Sequence, residues 1–144
     1  MVRLRTLLAI ALAFVMFGCG DDLAGGPSVT DMTITPSTIA VSDTGMTDEF
    51  FSVQIQVAGF SEPVDAASTR VFFSDGATDI EGIYGSSSLV GTTIQLDRIA
   101  TSWFQGQTPG SYELGVTVQS VADDSGRPAE SVTEFGLASV TITE

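Results

Sequence analysis

An all-β sandwich of two sheets and about seven antiparallel strands is the fold this chain predicts, on three observations. Apolar residues recur at every second position, helical periodicity is absent, and turn-forming clusters break the alternation at short intervals. The clearest alternation is at residues 51–57, where Phe51, Val53, Ile55 and Val57 share one face and Ser52, Gln54 and Gln56 the other. Residues 112–118 repeat it, with Tyr112, Leu114, Val116 and Val118 inward and Glu113, Thr117 and Gln119 outward. Successive side chains of a strand point to opposite faces, so each pattern describes a strand with one dry face and one wet one.

Shorter stretches of the same kind lie at residues 32–34, 39–41, 70–73, 93–96 and 140–142. Clusters of Gly, Pro, Asp and Ser between them, at 42–45, 59–63, 75–76, 106–110 and 123–128, read as turns. Near the end the alternation changes phase. Phe135 and Leu137 share one parity and Ala138, Val140 and Ile142 the other, which predicts a bulge in the last strand. Residues 82–91, GIYGSSSLVG, are too rich in Gly and Ser for a regular strand and predict a connecting loop, with Tyr84 as a possible recognition residue.

The stretch Pro109-Gly110-Ser111-Tyr112, followed by alternating apolar residues and then by Asp124-Ser125-Gly126, resembles the penultimate strand of immunoglobulin-like domains. The resemblance covers residues 29–144. It implies an Ig-like sandwich in which Tyr112 forms a corner, its ring on the core and its hydroxyl on nearby backbone. A buried Trp between two cysteines is absent, so the likeness is to the broad disulfide-free bacterial class. A fold of this kind implies no particular function.

The N-terminus has a different character. Arg3 and Arg5 precede an unbroken apolar run at residues 7–17, which ends in Met16-Phe17-Gly18-Cys19. A membrane-spanning helix needs about 20 such residues, and the core of an export signal about 7–15. Cys19 is the only cysteine, so an intramolecular disulfide is impossible. A small residue before a lone cysteine at the end of such a run resembles the lipobox of bacterial lipoproteins. The resemblance implies a signal peptide at 1–18, acylation of Cys19, and a tether over 19–28 leading to one sandwich domain at 29–144. The protein would then reside in the cell envelope, joined to the membrane through its lipid. Gly20, rather than Asp, directly after the cysteine favours the outer membrane over the inner one in a Gram-negative envelope.

Removal of residues 1–18 takes two of the five basic residues and leaves three arginines against 18 acids, a net charge of −15 with neither lysine nor histidine. Such a surface repels phosphate backbones, so nucleic acid is excluded as a partner. It repels anionic headgroups equally, and contact with the membrane is expected through the lipid alone.

Catalysis has little to work with. A nucleophilic serine needs a base, and without histidine or lysine only carboxylates are available. Asp75 and Asp79 could form a hydrolytic pair, but loop acids of this kind are expected simply to be solvated, and no enzyme activity or cofactor is expected. Asp75, Asp79 and Glu81 place three carboxylates within seven residues, the composition of a calcium loop without EF-hand spacing. In an Ig-like topology Asp43, Asp48 and Glu49 would join them at one pole, and Glu62, Asp65, Asp123 and Asp124 would gather at the other. Aromatic residues supply the binding candidates. Phe72 and Phe73 are adjacent, so only one can enter the core, and Trp103-Phe104 pose the same problem. The function expected is a non-catalytic binding or assembly module for an envelope protein or glycan, with a structural accessory subunit or a carboxylate-dependent hydrolase as the alternatives.

Overall fold

The computed structural model describes residues 25–40, 50–74, 79–83 and 86–144. The chain passes through β1 (Ser28–Thr35), β2 (Thr38–Ala40), β3 (Phe50–Ala58), a 3-10 turn (Ala66–Ser68), β4 (Arg70–Ser74), β5 (Asp79–Ile83) and β6 (Ser86–Val90). It continues through β7 (Thr93–Ala100), a second 3-10 turn (Thr101–Phe104), β8 (Gly110–Gln119) and β9 (Ser131–Thr143). These strands form two sheets, ordered β1-β3-β7-β6 and β2-β9-β8-β4-β5. In immunoglobulin lettering the first is A-B-E-D, and β9-β8-β4-β5 is G-F-C-C′. The expected sandwich therefore forms. Among the described residues there are nine strands, and β2, alone of them, pairs parallel, with β9.

The core is built from the alternation. Strand β3 turns Phe51, Val53, Ile55 and Val57 inward, and β8 turns Tyr112, Leu114, Val116 and Val118 inward, all of them buried. Aromatic rings fill one end. Phe73 lies 4.6 Å from Trp103, 5.3 Å from Phe104 and 5.4 Å from Tyr112, in edge-on or tilted arrangements that suit the ring quadrupoles. The second 3-10 turn is what brings Phe104 to full burial beneath a half-buried Trp103, so both adjacent aromatics are accommodated.

Tyr112 is a tyrosine corner. Its hydroxyl donates to the Thr108 carbonyl at 2.7 Å while its ring packs on Phe73. Tyr112→Phe keeps the ring and removes that bond, so chemical denaturation should show a loss of about 0.5–1.5 kcal/mol.

Bulges shape the long strands. In β9, Ala138 pairs Leu114 while Phe135 pairs the next residue, Gly115, leaving Gly136 and Leu137 unpaired in a bulge. Gly136 there has φ +71°, a conformation open to glycine at little steric cost. This is the predicted change of phase. In β7, Leu96 and Ile99 pair Val53 and Phe51, so one extra residue falls between them. Arg98 sits in that bulge at φ +58°, its guanidinium 4.9 Å from the centre of the exposed Phe50 ring.

Two segments expected as loops are strands. Residues 86–90 form β6, paired with β7 from Ser86↔Asp97 to Val90↔Thr93. Residues 79–83 form β5 on the edge of the other sheet, paired with β4. An edge strand needs only one neighbour, and backbone hydrogen bonds can hold it without an apolar pattern of its own. Ser28, placed in the tether by the sequence, is the first residue of β1.

Candidate functional site

The outer face of the five-stranded sheet carries the most exposed aromatic group among the described residues. Phe73 of β4 is fully buried, so Phe72 must face outward, as strand geometry requires. Its neighbour on β8 is Gly115, and the neighbour of Gly115 on β9 is Phe135. The two rings meet over the glycine, 5.2 Å apart and edge to face at 74°. A β-carbon on Gly115 would lie 2.7 Å from Phe72 Cζ and 2.9 Å from Phe135 Cδ1, so the bare backbone is what lets the rings close. Phe135 remains 58% exposed. Polar groups flank the pair: Thr117 and Thr133 share a hydroxyl hydrogen bond of 2.8 Å on the same face. An aromatic centre with a polar surround has the composition of an interface anchor.

The aromatic candidates from the sequence thus separate. Phe72 faces outward beside Phe135, whereas Trp103 lies half-buried, edge-on to Phe73 and Phe104. Tyr84 lies outside the described residues. Phe135 was not singled out by the sequence, although its parity, opposite to that of Val140 and Ile142, carried the signal.

The acids of the first pole lie largely outside the described residues. Asp79 and Glu81 belong to edge strand β5 and not to a loop, and Asp75 lies outside the described residues, as do Asp43, Asp48 and Glu49. No group of three or more metal-ligating side chains occurs among the described residues. At the other pole the loops 59–69 and 120–130 come together as expected. The Asp65 amide donates to the Gln119 carbonyl at 2.8 Å and the Val121 amide to the Pro63 carbonyl at 2.8 Å.

Acids at that pole serve loop geometry. Asp65 Oδ1 accepts from the Ala67 amide at 3.0 Å, capping the first 3-10 turn, and Glu130 Oε2 accepts from the Ser61 amide at 2.8 Å. Asp123 accepts from the Ser125 hydroxyl and amide and pairs with Arg127 Nε at 3.2 Å. The two Ser125 bonds, the hydroxyl's foremost, hold its carboxyl below the ordinary value of 3.8.

Solvated acids respond to ions by screening, with no preference for calcium. Calcium and magnesium at equal ionic strength are therefore expected to shift the thermal midpoint equally. A calcium-specific rise of several degrees, lost in Asp79→Asn, would overturn this.

No family model, curated protein or solved structure matches this chain.

Proposed function

We propose that the protein is an exported lipoprotein of the cell envelope, a non-catalytic binding or assembly module held to its membrane by acylated Cys19. The observation that carries this reading is the placement of the only cysteine, after Gly18, at the end of an eleven-residue apolar run. A free thiol in an oxidising compartment would be unusual, and a run this short does not span a bilayer. The partner is an envelope protein or glycan, and the Phe72–Phe135 pair supplies its contact: rings held in fixed geometry lose little freedom on binding. The second reading, a structural accessory subunit, draws on the same sandwich without using the pair.

Expression in a bacterium tests the anchor. The wild-type chain should partition into detergent and incorporate labelled fatty acid, and Cys19→Ser should abolish both. Equal labelling of the two chains would remove the lipoprotein reading. Phe135→Ser separates the two roles, because it should release a bound partner while leaving the protein folded.

A further inference from the structure

We propose that the pole at which the chain enters the sandwich is a membrane-docking surface whose apolar tips sit among the headgroups of the anchoring bilayer. The proposal rests on acylation of Cys19 and adds a contact made by the folded domain itself. Gly25 and Gly26 cross directly over Gly59, which has φ +76° and whose β-carbon, were it present, would run into both of their carbonyls. The entering chain is thereby laid against this pole. Gly25 lies six residue steps beyond Cys19, a reach of at most about 20 Å even when fully extended. Strand β8 alone spans about 33 Å at its ten residues. The pole of Gly59 is therefore confined near the headgroups, while the tether alone leaves the far pole, with Trp103, free to tilt.

The confined pole is where apolar side chains are exposed. The β6–β7 turn presents Val90, 71% exposed, and Leu89, 38% exposed, and the neighbouring 120–130 loop presents Val121 at 41%. These are three of the five large exposed apolar residues among the described ones. Leu89 borders a groove of about 300 Å³ lined also by Gly59, Phe60, Glu62, Pro63 and Val64. Clustered exposure of this kind marks an interaction surface, whereas single exposed apolar residues do not.

Charge selects the lipid. The loops 59–69 and 120–130 of this pole carry Glu62, Asp65, Asp123, Asp124 and Glu130, with Arg127 their only basic residue. Attraction must therefore be apolar, and a zwitterionic surface fits where an anionic one is repelled. Burial of two or three side chains would be too weak to recruit a free protein. It suffices for a tethered one, because the anchor makes docking an intramolecular event at high effective concentration. The sandwich then stands upright with the Phe72–Phe135 pair facing sideways, instead of tilting freely.

The full-length lipoprotein, reconstituted in phosphatidylcholine vesicles, tests this by amide hydrogen exchange against the soluble Cys19→Ser chain. Amides at 89–92 and 121–124 should exchange several-fold more slowly on the vesicles, and those at 105–108 equally in both. Leu89→Ser with Val90→Ser should abolish the slowing, and phosphatidylglycerol should reduce it. Trp103 emission should be unaffected by brominated acyl chains. A chain that floats with the vesicles but exchanges as the soluble one does, or whose Trp103 is quenched, overturns the docked pole and leaves the anchor standing. A chain that does not float overturns the anchor and the docking with it.

Discussion

Phe73→Ala is expected to destabilise the sandwich by about 3–5 kcal/mol, the range for emptying a large aromatic site that the surroundings cannot refill. Phe73 is fully buried and touches Trp103, Phe104 and Tyr112 at once, so its loss leaves three rings facing a void. The rings come from the second 3-10 turn and from β8, and each is fixed by its own backbone. Tyr112 is further pinned by its bond to Thr108, which limits collapse into the space. Thermal unfolding should fall by on the order of 10–20 °C. A loss under about 1 kcal/mol would mean that the aromatic end of the core is not packed as described.

Val116→Ala should cost about 1–3 kcal/mol, since it removes two methyl groups from a fully buried site between the sheets. Thr117→Ala, one residue further along β8, should stay within about 0.5 kcal/mol. Thr117 lies on the outer face, where its hydroxyl shares an exposed hydrogen bond with Thr133. Adjacent residues on one strand thus isolate the effect of facing, because backbone pairing and strand position are nearly the same for both. Denaturant midpoints of the two variants measure it, and equal losses would mean that the faces are wrongly assigned.

The strands that could be read from the sequence are those in which period two runs unbroken. Residues 51–57 and 112–118 each place four buried residues at regular spacing, and their faces are as the alternation states. Bulges hide the others. Val29 and Met32 are both buried in β1 but lie three apart, because its register shifts between Val29 and Asp31. Leu96 and Ile99 of β7 are also three apart, so the readable part ended at Leu96 although the strand runs to Ala100. The same displacement separates Ile80 and Ile83, the partners of Phe73 and Val71, and an acidic strand with broken alternation looked like a loop. In β9 the phase change was visible because long regular stretches flank it.

Strand β6 was illegible for a different reason. Its sequence, SSSLV, has no buried residue, so its strand form comes from hydrogen bonds to β7, on which side-chain pattern carries no information. The candidate site was half legible. Adjacency of Phe72 and Phe73 requires one ring to leave the core, but its meeting with Phe135 over Gly115 joins three strands distant in sequence. That juxtaposition follows from the sheet order and the β9 bulge together. The loops 59–69 and 120–130 were correctly placed at one pole because Ig-like topology alone dictates it.

Everything proposed about location and orientation depends on what becomes of Cys19, and one measurement addresses it directly. The N-terminal peptide of the mature protein, isolated from membranes, can be weighed by mass spectrometry. An acylated anchor gives a peptide beginning at Cys19 whose sulfur carries a diacylglyceryl group. A peptide beginning at any other residue, or a Cys19 with an unmodified thiol, would contradict it.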